Sequence, residues 1–162
     1  QEPSLNFIEL IDSNSLNNNF KKDFNWKFHH INLECYNVRL TAKFFAKYLE
    51  IKEGNWKPPI ELGKVNIKKS QLAIFPLGVN HSGLHLNKAD FSFGWRNNFL
   101  HNPPLGGHPA FEVKDITKFK KKLKKLNIPF TDAKIYAMPY IYQIYLFDPN
   151  ANIIEINQNT LN

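Results

Sequence analysis

The sequence contains an internal repeat, and this feature limits the possible folds more than any other. The segment HINLEC at residues 30–35 returns as HPAFEV at residues 108–113, and KYLEI at residues 47–51 returns as KKLNI at residues 124–128. A repeat within 162 residues predicts two copies of one structural unit. It also places a histidine at the same position in each copy.

The bulk composition predicts a single globular domain with no membrane segment. Hydrophobic residues make up 43% of the chain and aromatic residues 14%, which suffices for a core at this length. No apolar run approaches the roughly 20 residues that a membrane helix needs. The single cysteine, Cys35, excludes a disulfide framework and is predicted to be buried. The chain begins at Gln1 rather than Met, so we expect a cytoplasmic protein or an organellar one that has lost a leader.

The net charge of +7 comes mainly from lysine, and much of it falls in one predicted helix. In that helix Ile116, Phe119, Leu123 and Leu126 recur at helical spacing, and lysines fill the remaining face. A solvated helix face explains this pattern better than a nucleic-acid surface does. We therefore expect no nucleic-acid partner and keep an interaction module for acidic partners as a minor alternative.

Each repeat is predicted to fold as strand–helix–strand–strand–strand. Module one is predicted at residues 26–77 and module two at residues 108–158. Asn37 and Asp115 precede the two amphipathic helices and are predicted to be their N-caps. The chain thus predicts two equivalent strand-rich units, each with one helix.

The segment at residues 78–107, between the modules, is predicted to be a long connecting loop. A loop of that length in a compact domain is usually a lid, a binding loop or a partner contact. Its candidates for surface or substrate contact are His81, His85, Trp95, Arg96 and His101. Of these, Trp95 and Arg96 are predicted to bind substrate. Residues 1–25 are predicted to be an arm and linker before the domain at residues 26–162.

Strand parity places three metal-ligand side chains on one face of the predicted sheet. Side chains alternate across a strand, and the apolar parity of each strand must pack under the helices. His30, His108 and Glu155 then lie on the opposite face. Two imidazoles and a carboxylate suit a divalent Zn, Ni, Mn, Fe or Co ion, with positions left for water or substrate. The sequence therefore predicts a metal site in which Glu155 is both ligand and proton acceptor.

Two further predictions concern side chains near that site. Gln143 and Tyr145 share one parity of the strand at residues 140–147 and are predicted to line the substrate cavity. His29 lies on the core parity of the first strand and is predicted to be structural.

Three segments of the chain carry a resemblance to a known family. They are FHHINL at residues 28–33, GHPAFEV at residues 107–113 and FDPNANIIE at residues 147–155. In these segments, and across residues 26–158, the chain resembles the vicinal oxygen chelate superfamily of glyoxalases, bleomycin-resistance proteins and extradiol dioxygenases. The resemblance implies an α+β fold in which paired βαβββ modules form a cup-shaped mixed sheet around a metal.

The ligand pattern of that superfamily carries over at three positions and breaks at a fourth. His30, His108 and Glu155 match its two histidines and its last-strand glutamate. Glyoxalase I enzymes have a further glutamate on the last strand of the first module, which is predicted here at residues 71–77 and contains none. The resemblance also implies a homodimer, whose site can take His30 from one chain and the other two ligands from the second.

These observations predict a glyoxalase I-like, metal-dependent enzyme of the lyase or isomerase type. Its substrate would be a small oxygen-chelating molecule, with a glutathione adduct as one candidate. Without the second glutamate a proton shuttle between two carboxylates is missing, so full glyoxalase I activity is not expected. The alternative is a non-catalytic ligand-binding protein of the bleomycin-resistance type.

Overall fold

The structure, a computed structural model, describes residues 26–55, 68–78 and 81–161. The elements in that part of the chain are β1 (Trp26–Cys35), α1 (Val38–Tyr48), β2 (Leu72–Pro76), β3 (Gly83–Lys88), α2 (Phe93–Arg96), β4 (His108–Val113), α3 (Ile116–Lys125), β5 (Thr131–Lys134), β6 (Ile141–Phe147) and β7 (Ile153–Asn159). The predicted arm at residues 1–25 lies outside the described residues. None of the helices described here has both the length and the apolar character needed to cross a bilayer.

Among the described residues, seven strands form one mixed sheet in the order β2-β3-β1-β4-β7-β6-β5. β1 and β4 pair antiparallel at the centre, β3 pairs parallel with β1, and β7 pairs parallel with β4. In each module the last strand therefore pairs with the first, β3 with β1 and β7 with β4. A local two-fold axis between β1 and β4 relates the two pairs. The predicted α+β fold of paired modules is confirmed.

Module one ends later in the chain than the sequence predicts. The segment predicted as one long loop, residues 78–107, contains β3 and the short helix α2. β3 pairs with β1 and with β2, so it is the last strand of this module, and β2 is the strand before it. The sequence signal for β3 is brief: Leu84 and Leu86 alternate with polar residues, as strand residues do.

Both long helices begin at the predicted caps. The Asn37 side chain accepts a hydrogen bond from the Leu40 N–H at 3.0 Å, and the Asp115 side chain accepts one from the Lys118 N–H at 2.8 Å. Each cap satisfies an amide that the first helical turn leaves without a partner. The first helix of each module thus begins with a side-chain N-cap of the same geometry.

The two helices cover the outer face of the sheet and bury most of the core there. Under α1 the buried cluster is Cys35, Val38, Ala42, Phe45, Ala73, Phe75, Leu84 and Leu86. Under α3 it is Val113, Ile116, Leu123, Ile144 and Ile156. Cys35 is fully buried among apolar side chains, in agreement with its predicted structural role.

A smaller apolar cluster joins the two modules across the inner face. Leu72 and Ile74 of β2 pack with Met138 and Ile141, at the start of β6. These strands lie far apart in the sheet order, so their contact requires the sheet to curl. The inner faces of the two modules therefore face each other across a cavity.

Candidate metal centre

His30 of β1, His108 of β4 and Glu155 of β7 come together on the inner face of the sheet. The Nε2 atom of His30 lies 3.6 Å from Glu155 Oε2, and the Nε2 atom of His108 lies 3.4 Å from the same oxygen. One ligand atom from each residue falls within a group no wider than 4.8 Å. All three side chains are buried, with at most 3% of each residue exposed.

Strand register explains why residues so distant in sequence converge. In the antiparallel pair of β1 and β4, His30 faces Ala110 and Asn32 faces His108, so the two histidines lie diagonally across the centre. In the parallel pair of β4 and β7, Ala110 faces Glu155. The three ligands therefore occupy neighbouring positions on the inner side of three adjacent strands.

The second nitrogen or oxygen of each ligand is held by another protein group. The Nδ1–H of His108 donates to the Pro103 carbonyl at 3.1 Å, and Nδ1 of His30 lies 2.8 Å from Nδ1 of His29. The Asn157 amide donates to Glu155 Oε1 at 2.9 Å. Such contacts fix the orientation of metal ligands.

This arrangement fits a divalent metal ion. Two imidazole Nε2 atoms and one carboxylate oxygen point toward a common centre, and their other polar atoms are already bonded. Nitrogen and oxygen donors without thiolate suit Zn, Ni, Mn, Fe or Co. His30, His108 and Glu155 would hold the ion, which would supply Lewis-acid chemistry there.

His85 occupies the position in module one that Glu155 occupies in module two. Asn32, two residues after His30, faces His85 in the β1–β3 pair, just as Ala110, two residues after His108, faces Glu155. We call this position of His85, on the last strand of module one, the fourth corner of the site. As the sequence predicts, it holds no glutamate of the glyoxalase I kind; it holds a histidine instead.

The structure also corrects the predicted location of His85, because this residue belongs to a buried strand rather than to a surface loop. Its ring stacks on that of His30, with centroids 3.8 Å apart and planes inclined by 18°. Its Nε2–H donates to the His81 carbonyl at 2.8 Å. Burial lowers the pKa of His85 to about 4, so its imidazole is neutral at pH 7.

Electrostatics around the metal centre favour an ionised Glu155 carboxylate and a neutral His30 imidazole. Burial alone would raise the pKa of Glu155, but the adjacent His30 and His108 hold it well below its usual range. Burial, followed by the neighbouring His85, lowers the pKa of His30 well below its ordinary value. A neutral imidazole and an ionised carboxylate are the protonation states that metal binding requires.

Two tyrosines and a glutamine extend from Glu155 along the wall of the cavity. The Tyr145 hydroxyl donates to Glu155 Oε2 at 3.0 Å, and the Tyr136 hydroxyl lies 2.7 Å from that of Tyr145. The Gln143 amide N–H reaches the Tyr145 oxygen at 3.3 Å. Burial, and then the charge of Glu155, raise the pKa of Tyr145 well above its usual value. Tyr136 lies between β5 and β6, outside any strand, so alternation along a strand does not indicate its place at the cavity.

The cavity in front of the metal centre has a volume of about 710 Å³. Gln143, Tyr145 and Arg96 line it, and Arg96 pairs there with Asp90 at 2.7 Å. Their role in substrate binding stays a prediction. Trp95 is not among the lining residues, and 83% of it is exposed to solvent.

Two other histidines of the predicted loop lie elsewhere. His101 is buried, with Nδ1 2.7 Å from the Thr131 hydroxyl, and His81 is partly exposed. His101 is therefore buried and not at the surface, the first of the two positions that the sequence predicts for it.

Comparison with known proteins identifies the fold. The 2,2',3-trihydroxybiphenyl 1,2-dioxygenase of Sphingomonas wittichii strain RW1 is 13% identical with a TM-score of 0.52, over 85% of this chain and 44% of that one. A halotolerant catechol dioxygenase is 15% identical with a TM-score of 0.52, over 81% of this chain and 39% of that one. A hypothetical protein from Bacillus halodurans C-125 is 16% identical with a TM-score of 0.52, over 82% of this chain and 94% of that one.

These likenesses confirm the expected fold, which this chain shares with the three solved structures. The match spans less than half the length of the two dioxygenases. No protein-family model matches the sequence, and no curated protein matches it.

Proposed function

We propose that this protein is a glyoxalase I-like, metal-dependent enzyme of the lyase or isomerase type, acting on a small oxygen-chelating substrate. The observation that carries the proposal is the convergence of His30, His108 and Glu155 within 4.8 Å beside a cavity of about 710 Å³. A cavity of this volume accommodates a small metabolite or part of a larger conjugate, such as a glutathione adduct.

Each residue of the centre has a distinct part in this proposal. A divalent ion held by His30, His108 and Glu155 would polarise a substrate oxygen. Glu155 accepts a proton from the carbon next to that oxygen, since it is the ionised group beside the reacting atoms. Tyr145 and Asn157 keep the carboxylate in place through their hydrogen bonds.

The carboxylates lining the cavity limit the type of proton transfer. Among the described lining residues these are Glu155 and Asp90, and Asp90 is already paired with Arg96. His85 stands where a second glutamate would complete a shuttle. We therefore propose proton abstraction at one face of the substrate, carried out by Glu155, and not full glyoxalase I chemistry.

Metal analysis and turnover together test this proposal. Purified protein supplemented with Zn, Ni, Mn, Fe or Co should retain about one ion per chain, and His108→Ala should lose it. Turnover of small α-hydroxy carbonyls and of a methylglyoxal–glutathione hemithioacetal should depend on that ion, and His81→Asn should behave as wild type. Protein that retains no metal, and whose stability His108→Ala leaves unchanged, would refute the proposal.

The alternative is a ligand-binding protein without catalysis, and the histidine at the fourth corner favours it. A protein of this fold that has lost catalysis would be expected to lack the second carboxylate that transfers a proton. Metal-loaded protein would then bind chelating ligands tightly without converting them. Conversion that stops in Glu155→Asp while the ion stays bound would favour the enzyme.

A further inference from the structure

The outer face of the central strands β1 and β4 carries aromatic side chains that reach solvent. The register of this strand pair shifts between Phe28 and His30, so Phe28 lies on the outer face while His30 stays on the inner one. The ring centroids of Phe28 and Phe111 are 6.0 Å apart, and those of Trp26 and Phe119 are 5.2 Å apart. Phe28 is nevertheless 61% exposed and Trp26 42% exposed.

The two long helices lie to either side of these strands and do not cover them. α1 packs on β2 and β3, and α3 packs on β7. One side of α1 points to the sheet edge, because Arg39 donates to the Leu72 carbonyl of β2 at 3.4 Å. The opposite side, which carries Leu40, Phe44 and Tyr48, therefore faces the central strands. Leu40 is 53% exposed and Tyr48 64% exposed.

The side of α3 that faces the central strands is both apolar and basic. Phe119 shares this side with Lys122 and Leu126, three and seven residues further along the helix, and both of these are exposed. On the α1 side, Lys47 Nζ lies 5.1 Å from the centroid of the Tyr48 ring. We call this surface the outer groove, with its floor and walls formed by Trp26, Phe28, Ile31, Phe111, Leu40, Phe44, Tyr48, Phe119 and Leu126.

A segment of this chain matches the outer groove in both hydrophobicity and charge. The sequence LNFIELI at residues 5–11 is mostly apolar. Residues 1–20 contain Glu2, Glu9 and Asp12 and no lysine or arginine, whereas the whole chain has a net charge of +7. An acidic, apolar segment is thus complementary to an apolar groove with a lysine on each wall.

The connection between this segment and the sheet is long enough for the segment to reach the groove. Residues 12–25 lead from the apolar run to Trp26, which is itself part of the groove floor. A connection of this length spans up to about 46 Å when it is extended. The 10 residues of β1 span only about 33 Å, so the segment can return along the whole strand.

We propose that residues 5–11 dock in the outer groove of their own chain. Their apolar side chains cover Phe28 and the rings beside it, which removes an exposed apolar patch from solvent. The carboxylates of the segment then have a lysine of each helix as a neighbour. The groove lies on the face of the sheet opposite the metal centre, so this inference does not depend on the proposed function.

Thiol labelling of the full chain tests whether the outer groove is covered. Cys35 is the only cysteine of the sequence and is fully buried, so a cysteine introduced at the surface is the thiol that a maleimide reaches. Leu100→Cys is the control, since Leu100 is 69% exposed and its N–H bonds to Thr131 of the edge strand β5. We expect Phe28→Cys to react at least about tenfold more slowly than Leu100→Cys, because a covered thiol reacts only while the segment is open. Each rate is divided by that of the same variant unfolded in urea.

Substitutions within the chain before β1 identify the covering segment. Replacing Phe7, Ile8 and Ile11 together with Ser in the Phe28→Cys chain should raise its labelling rate to that of Leu100→Cys. Leu16→Ser combined with Phe20→Ser is the matched control, because it removes apolar side chains outside residues 5–11. This control should leave the slow rate unchanged.

Three results would overturn the inference. The first is equal labelling of Phe28→Cys and Leu100→Cys in the full chain, since nothing then covers the groove. The second is slow labelling that persists after Phe7, Ile8 and Ile11 are replaced. The third is protection that grows with protein concentration, because a second copy of the chain would then be the occupant. If Phe28→Cys does not unfold cooperatively on heating, Ile31→Cys takes its place in the same comparison.

Discussion

Tyr145 connects the carboxylate of the metal centre to the rest of the cavity wall. Its hydroxyl donates to Glu155 Oε2, and it is one of the largest fully buried side chains of the protein. Sequence parity predicted its position, because alternation along a strand is a local property. Its bond to Glu155 depends on the pairing of β6 with β7, which places the two residues opposite each other.

Replacing Tyr145 with Phe should weaken metal binding by roughly tenfold, the lower end of the effect of removing a group that orients a metal ligand. The ring remains, so the loss reflects the hydrogen bond to Glu155 and not packing. Competition with a chelator of known affinity measures the change. Tyr142→Phe is the control, since the Tyr142 hydroxyl bonds to Asp132 and Lys120, away from the centre. Equal losses in the two variants would contradict the assigned role.

His85 should make the stability of the metal-free protein depend on pH. Its pKa in the folded state is about 4, below the ordinary value of 6.5, so the unfolded chain takes up a proton first as the pH falls. Stability is therefore lost between about pH 6.5 and 4, by up to about 3 kcal/mol. The lowered pKa of His30 acts in the same direction.

Urea unfolding in the presence of a chelator, at several pH values, checks this dependence. His85→Gln removes the titrating group and should flatten the loss of stability over this range. His81→Asn should keep the wild-type slope, since Asn tolerates the positive φ of 61° at that position. A wild-type slope in His85→Gln would show that the buried imidazole does not cause the dependence.

At the level of elements, the sequence predicts where both long helices begin but does not predict the strand β3. Asn37 and Asp115 were recognised as caps because capping depends on residues three positions apart. β3 was missed because its role depends on parallel pairing with β1, across more than fifty residues of chain. Because His85 lies on β3, its place beside the metal ligands could not be predicted from the sequence either.

Asp115→Ala should lower the free energy of unfolding by about 1 kcal/mol, since it removes the side chain that accepts from the Lys118 N–H. Chemical denaturation measures the loss. Asp115→Asn keeps an N-cap acceptor and should retain most of the stability. If Ala and Asn at this position proved equally stable, the capping contact would contribute nothing to the fold.

For the whole molecule, the repeat in the sequence becomes a two-fold arrangement of modules around one centre. One chain brings His30, His108 and Glu155 within 4.8 Å, so a centre assembled from two chains is not required for these ligands to meet. The homodimer implied by the family resemblance stays a prediction. The fold was predictable because two modules repeat the same pattern, whereas the chemistry depends on where the repeat differs, at His85 and Glu155.

The most direct test of the account is to locate the metal in crystals of protein loaded with zinc or cobalt. Anomalous scattering, measured on both sides of the absorption edge of the metal, should give one strong peak per chain. It should lie about 2.0–2.2 Å from Nε2 of His30, Nε2 of His108 and a carboxylate oxygen of Glu155. No peak at this position, or a peak bound by other residues, would contradict the central claim that these three side chains form a metal centre.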